Sequence, residues 1–486
     1  MGNDGNPNLV LQEGPKEWKY FGPMDLFLAV QPGKSKRVQI EQQLRDGIRS
    51  GRLRGGMALP PSRTLAADLG VSRGVVVEAY AQLTAEGYLL ARPRAGTRVS
   101  EGMTTVNQGG GEVAERLPPI RYEMRSGTPD PAAFPRRAWQ SATVHALRGL
   151  PDADFLGPHR GGLAQLRIAL ADYVARARAA AADPERVVIS SGLAPGLAVL
   201  LEVLAARGAR RVAVEDPSWP HHARAVRLAG LQPVPVAVDG RGLVIDRLDA
   251  DVVITTPAHQ FPTGVVLAPE RRAELIAWAA KRDTLVIEDD YDAEYRYDRE
   301  PVAALQGMAP EHVVYAGTVS KTLAPTLRIG WLVLPAHLAD DVAHRGQASG
   351  AWPSIIEQAT LATMIQRGDL EHHLRAMRRC YRRRRDTLVD ALSETFALSI
   401  GGAAAGLHLI AWPPEGTDVN AIAAQAREQG IALDTLHYRC WVQSPSPPAL
   451  LLGYAAIPEH ALRQAVRILA RLPAAAPMLL AARPRP

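Results

Sequence analysis

The chain has 486 residues, 47% hydrophobic and 22% charged, with a net charge of +6 and two cysteines. That length exceeds one ordinary domain, and the composition excludes a disordered or fibrous chain. Cys380 and Cys440 are too few for a disulfide framework and lack metal-ligand spacing, no apolar run reaches membrane-spanning length, and Met1–Leu11 is too polar for a signal peptide; a reducing cytoplasm and no membrane are expected. The charge is unevenly spread. Residues 1–100 hold 14 Lys and Arg against 9 Asp and Glu, which suits a nucleic-acid-binding module and equally a basic solubilising face.

Taken in order, Met24–Val30 reads as a short strand. Val38, Ile40, Leu44 and Ile48 recur at helical spacing and predict a helix closed by Gly51. After Pro60-Pro61, Ser62 is an N-cap candidate for a short helix over Arg63–Leu69. Gly70-Val71 turns the chain, and Ser72 caps a second helix over Arg73–Glu86, stopped by Gly87. Tyr88–Ala91 and Thr97–Val99 read as two strands around Arg92-Pro-Arg94-Ala-Gly96. This order predicts a winged helix-turn-helix. Its last helix would offer Ser72, Arg73 and Gly74 to a major groove, with Arg63 suited to phosphates or a guanine edge. Arg92, Arg94 and Arg98, around Gly96, would follow the backbone or minor groove. Pro61-Ser-Arg-Thr-Leu-Ala-Ala-Asp-Leu-Gly-Val-Ser-Arg-Gly74 resembles the DNA-binding domain of the GntR superfamily, with Val75 where that family usually has Thr. The resemblance implies a double-stranded DNA partner.

The expected boundaries are a DNA-binding domain over 24–100, a Gly- and Pro-containing linker over 101–120, and a larger domain over 121–475. In the larger part, apolar strands alternate with amphipathic helices. The strands are expected over Arg186–Ser190, Arg211–Glu215, Pro233–Val238, Asp251–Thr255, Thr284–Glu288 and His312–Ala316, in an α/β fold with a largely parallel sheet. Ligands in such sheets bind at the carboxyl ends of strands.

The candidate chemistry falls there repeatedly. In Gly317-Thr-Val-Ser-Lys321, a lysine packed among apolar residues can lose its proton and attack an aldehyde. The hydroxyls of Thr318 and Ser320, with Arg328 seven residues on, suit a phosphate. Together they fit the Schiff-base lysine of a pyridoxal phosphate site. Ser190-Ser-Gly192 opens a helix whose first N–H groups, at Gly192, Leu193 and Ala194, form an anion site. Trp219 lies near the ring or the substrate, or packs in the core. His259 and Gln260 can reach the ring's phenolic oxygen or the substrate. In Glu288-Asp289-Asp290-Tyr291, alternation points Asp289 and Tyr291 together and turns Asp290 away. Asp289 would keep the pyridine nitrogen protonated, and Tyr291 would bond the phenolic oxygen.

These stretches, with Thr256-Pro-Ala-His-Gln-Phe-Pro-Thr-Gly264, resemble fold-type I aminotransferases and, more closely, the MocR group, in which a GntR-type winged helix precedes an aminotransferase-like domain. The resemblance implies pyridoxal phosphate on Lys321, with Asp289 on the ring nitrogen and Tyr291 on the phenolic oxygen. It implies phosphate contacts from Gly192, Ser320 and Arg328, and a homodimer with peripheral winged helices. Departures are Leu193 and Pro195 in the phosphate loop, Trp219 where Tyr is common, and His221 where a GABA-sensing member carries Arg. Arg439 and His221 are the candidates for an effector's carboxylate, and a surface role for Arg439 stays open. The leading expectation is a regulator that senses an amine, an amino acid or the vitamin itself. The alternatives are a working aminotransferase with an appended DNA-binding domain and a cofactor-free dimerisation domain.

Overall fold

The computed structural model describes residues 28–31, 35–92, 96–101, 118–157, 159–298, 302–350 and 352–480. The chain divides into two compact units, residues 1–116 and 117–486. The first has helices α1 Lys36–Arg49, α2 Ser62–Asp68 and α3 Arg73–Ala85, then antiparallel strands β1 Leu89–Arg92 and β2 Gly96–Val99, with Arg92 opposite Gly96. The helical spacing buries Ile40, Leu44 and Ile48 against Leu65, Val76, Tyr80 and Leu83. Each such side chain contributes about 1.5–3 kcal/mol by burial. Val38, from the same periodic set, lies on the outer face at 49% exposure. Gly51 and Gly87 end α1 and α3 in left-handed backbone, at φ 74° and 82°, where a Cβ would be strained. The Tyr80 hydroxyl donates to the Pro60 carbonyl at 3.0 Å and ties α3 to the segment leading into α2.

Two local expectations are corrected. Ser62 is the first residue of α2 and Pro61 its N-cap, while Ser72 is the N-cap of α3 as expected, through its position and not through a side-chain bond. Residues 28–30 form no strand. Ala29 instead exchanges backbone bonds with the Gln43 side chain, at 2.9 and 2.7 Å. The rest of the Met24–Val30 strand, most of the linker over 101–120, and Arg94 lie outside the described residues.

In the second unit the chain runs β3 Tyr122–Met124, α4 Arg136–Gly149, α5 Ala164–Arg178, β4 Val187–Ser190, α6 Leu193–Ala206, β5 Arg211–Asp216, α7 Pro220–Leu228, β6 Gln232–Asp239, β7 Gly242–Leu243, β8 Val252–Thr255, α8 Pro269–Arg282, β9 Leu285–Asp290, β10 Val313–Thr318 and β11 Gly330–Val333. The remaining elements are α9 Ala336–Ser349, α10 Ile355–Gln366, α11 Asp369–Thr395, β12 Ser399–Gly401, β13 His408–Trp412, α12 Val419–Glu428, β14 Ile431–Thr435, α13 Leu436–Arg439, β15 Leu450–Gly453 and α14 Glu459–Leu469.

The main sheet has the order β4-β11-β10-β9-β8-β5-β6-β7. All six expected strands are present and run in one direction; β11 and the short β7 run against them. Strands β4, β8, β9, β10 and β11 are buried along their whole length, because helices cover both faces. One apolar layer joins Leu170, Val174, Val187, Ile189 and Tyr315, and the other joins Leu200, Leu204, Val226 and Leu332. A second sheet, β12-β13-β15-β14-β3, is antiparallel except where β3 runs along β14. Most of the candidate residues sit at or just past the carboxyl ends of β4, β5, β8, β9 and β10, so the sheet gathers residues far apart in the chain.

Candidate functional site

The lysine lies three residues beyond β10. Its Nζ donates to the Gly127 carbonyl at 2.7 Å. Burial lowers its pKa; Asp292 and Asp289 oppose that shift, and Arg439 adds to it. The amine is therefore poised nearer neutrality than a surface lysine. Thr318 shapes the loop from within: its Oγ1 donates to the Ile329 carbonyl at 3.1 Å, lies 2.9 Å from Ser320 Oγ and accepts from Ser320 N at 3.2 Å. Ser320 is half-buried beside the lysine.

Arg328 is exposed, in left-handed backbone at φ 53°. It has no hydrogen-bond or ion-pair partner among the described residues. Gly192 caps α6 at φ 100° and ψ 170°. Gly330 has no Cβ to collide with that turn; one would come within 2.7 Å of the Gly192 carbonyl carbon and 2.8 Å of Leu193 N. The first-turn N–H groups of Leu193 and Ala194 have no acceptor within the helix, and Pro195 has no N–H to add. The two first-turn amides are donors open to an anion.

Asp289 is fully buried. Its Oδ2 lies 2.8 Å from His222 Nε2, and its Oδ1 has no hydrogen-bond partner among the described residues. Burial raises its pKa and the His222 contact pulls it down. Asp290 points to the other face of the sheet and accepts from Arg178 Nε at 2.6 Å, as strand alternation requires. Tyr291, also buried, places its hydroxyl 3.1 Å from His259 Nδ1. The same nitrogen lies 3.0 and 3.1 Å from the two Asp292 carboxylate oxygens. A carboxylate so close favours the tautomer with the proton on Nδ1. That nitrogen then cannot accept from Tyr291, whose hydroxyl also bonds Asp292; burial first, then the charges of Asp292 and Asp289, push its pKa up and keep the phenol protonated. His259 thus joins Asp292 and Tyr291 in one buried cluster.

Other expected residues are placed differently. Gln260 is turned away: its Nε2 donates to Glu215 at 3.1 Å and to the Pro217 carbonyl at 2.8 Å, and its Oε1 accepts from Thr263. It holds the 256–264 turn together. Trp219 is half-buried; its ring packs 4.5 Å from His221 and edge-on at 5.4 Å from His222. His221 itself is exposed, and it is His222 that meets Asp289. Burial and the charges of Arg224 and Arg439 lower its pKa. Arg439 is 44% exposed on its side chain and leans 3.5 Å from Asp434 Oδ2; Asp434 is also held by Ser126 N and Oγ. Arg439 feels both Lys321 and His221 electrostatically. The three therefore border one region.

Sequence reasoning missed His222, Asp292 and Gly127. His222 had a signal. Neighbours on a helix point about 100° apart, and His222, not His221, is four residues from the buried Val226 on α7. Gly127 had none, since it is 194 residues from the lysine it meets.

In the first unit, Arg63, Ser72, Arg73 and Gly74 are all exposed. Arg73 Nε lies 3.5 Å from Ser62 Oγ. The wing turns at Gly96, φ 81°. Arg98 is folded back onto the Gly56 carbonyl at 2.9 Å, so it braces the wing's base.

The geometry defines a winged helix followed by an aminotransferase-type domain, and the cofactor that this fold implies is pyridoxal phosphate. The residues fit it: an amine of lowered pKa, an unpartnered buried carboxylate oxygen for a ring N–H, and the open first-turn amides of α6 for a phosphate. Comparison with known proteins agrees. The family of bacterial regulatory proteins, gntR family, matches residues 36–99, and Aminotransferase class I and II matches residues 135–469. The chain is 32% identical over 449 residues, 90% of its length and 96% of the relative's, to the HTH-type pyridoxine biosynthesis transcriptional regulator PdxR of Corynebacterium glutamicum. It is 33% identical over 457 residues, 89% of its length and 92% of the relative's, to the probable rhizopine catabolism regulatory protein MocR of Rhizobium meliloti. Its fold is similar to that of Pyrococcus horikoshii kynurenine aminotransferase, with TM-score 0.65 and 23% identity over 73% of this chain and 90% of that one. The chain belongs to the MocR-type family of transcriptional regulators, which join a GntR-type helix-turn-helix to an aminotransferase class I and II domain.

Proposed function

We propose that this protein is a cytoplasmic, homodimeric regulator that binds duplex DNA through its winged helix and senses an amine, an amino acid or pyridoxal phosphate itself at the Lys321 site. The observation that carries the sensing role is Asp289 Oδ1, buried and unpartnered, near a half-buried lysine whose pKa is lowered. When bound, pyridoxal phosphate supplies an aldehyde for amines and a ring that withdraws electrons. Lys321 supplies the competing amine. Asp289, oriented by His222, holds a proton at the ring nitrogen; Tyr291 donates at the phenolic oxygen; Leu193, Ala194, Ser320 and Arg328 take the phosphate. Arg439 and His221 are the groups to meet an effector's carboxylate. No described helix is long and apolar enough to cross a membrane. A homodimer is supported by apolar side chains left exposed on α4 and the turn after it, with Val144, Leu147 and Phe155 at 43–52% and Leu156 at 87%.

The DNA half of the reading has a direct test. If a dimer neutralises roughly 6 phosphates, the logarithm of affinity should fall with the logarithm of salt at a slope near −5. Arg73→Ala should cost about 1–3 kcal/mol at a site where it reads guanine. Arg94→Ala should weaken all sequences alike and flatten the slope by about one. Footprinting of the DNA upstream of this gene and its neighbours, with and without candidate amines, measures both. Protection that Arg73→Ala leaves unchanged would remove the regulator reading's main support. The same pocket could carry transamination. With Pro195 removing one amide from the first turn of α6, turnover of amino acids with keto acids should fall far below an enzyme median of about 10 per second. An assay giving ordinary enzymatic rates would make the enzyme reading the better one.

A further inference from the structure

We propose that the outer face of α11, carrying Arg375, Arg379 and Arg382, is a second duplex-DNA contact, built into the larger unit. It rests on the reading of the winged helix as a DNA-binding module. Seven arginines fall between residues 375 and 385, and they divide by what they touch. Arg378 donates to the Glu294 carbonyl at 3.0 Å. Arg384 is buried against the Ala455 carbonyl and Asp130. Arg383 lies 3.4 Å from Glu459 and Arg385 3.3 Å from Asp386. The other three are exposed and have no ion-pair partner among the described residues.

Their spacing is what makes them a surface. Positions i, i+4 and i+7 share one face of a helix, opposite the buried Leu370, Leu374, Tyr381 and Leu388. From Arg375 to Arg382 the axis advances about 10 Å at 1.5 Å per residue. One strand of a duplex presents a phosphate about every 3.4 Å along its axis, so the stripe matches a run of about three phosphates. Guanidinium groups bond phosphate oxygens in a bidentate fork. A protein partner would ordinarily add an apolar or aromatic anchor, and a membrane surface would need an apolar face. None of the exposed large hydrophobic residues lies on α11. A polyanion recognised through charge alone is the partner this face fits.

The test uses full-length, cofactor-loaded protein and the triple variant Arg375→Gln/Arg379→Gln/Arg382→Gln, which keeps helix propensity. An unchanged thermal midpoint and cofactor absorbance establish that the variant is folded. Each protein is titrated across salt concentrations with a long duplex carrying the footprinted site, a random duplex of that length, and a short duplex covering only the winged-helix site. The variant should bind both long duplexes with a slope less steep by about 0.9 for each arginine lost, keep its preference between them, and bind the short duplex as the parent does. If the parent binds the long duplex and the variant matches it in affinity and slope, the α11 proposal is overturned while the winged-helix reading stands. If the parent binds none of the three, both fall. An acidic protein captured by the parent and not by the variant, with DNA slopes unchanged, would reassign the face and overturn the proposal.

Discussion

Lys321→Ala should leave the protein unable to hold pyridoxal phosphate through borohydride reduction and denaturation, whereas the parent should retain it on one peptide containing Lys321. Replacement removes a single bond, from Nζ to the Gly127 carbonyl, so the fold should survive and the loss should be specific. The lowered pKa adds a pH signature. An ordinary lysine titrates near 10.4. With burial pulling Lys321 down, its neutral form appears at lower pH, so capture of the cofactor should quicken as pH rises and level off before the ordinary lysine range. Mass spectrometry of the reduced protein across pH measures both. A reducible bond persisting in Lys321→Ala would refute the assignment. Capture that keeps rising up to about pH 10.4 would show instead that burial does not tune the amine.

The parts of this fold legible in the sequence are those specified by residues close together in the chain. Strands β4, β5, β6, β8, β9 and β10 are apolar runs bounded by turn residues, and a strand covered on both faces has to be such a run. Strand β11 is equally apolar and lies outside the six expected strands. It runs antiparallel between β4 and β10, a position dictated by its packing: a Cβ on Gly317 would lie 2.4 Å from the Trp331 ring. The opposite facing of Asp289 and Asp290 follows from period two. The task of each polar side chain does not. Gln260 looks available in sequence and is consumed by Glu215 and the Pro217 carbonyl. His259 meets Asp292 and Tyr291 through its Nδ1. Those outcomes depend on partners brought in by the tertiary fold, and only His222, through its helical phase, could have been singled out beforehand.

Arg178→Met should destabilise the larger unit by about 3–5 kcal/mol, the usual cost of stranding one partner of a buried ion pair. Arg178 and Asp290 are each 1% exposed on their side chains and joined at 2.6 Å. The loss should depend on pH. Burial, reinforced by the charge of Asp290 and opposed by Arg178, pushes Glu288 and Glu294 up to about 7. A buried carboxyl whose folded pKa exceeds its unfolded value of about 4.3 binds more protons when folded, so stability falls as pH climbs from there toward the folded pKa. Removing Arg178 takes away the cation that restrains both groups and extends that window upward. The defect should therefore be larger at pH 8 than at pH 5. Adding Asp290→Asn to Arg178→Met should recover part of the loss, since the stranded charge goes with it. Denaturant unfolding at both pH values, followed by the fluorescence of the larger unit's tryptophans, measures all three variants. A defect below about 1 kcal/mol would place this pair in the range of exposed ion pairs, and a defect equal at the two pH values would show that Arg178 does not govern the two glutamates.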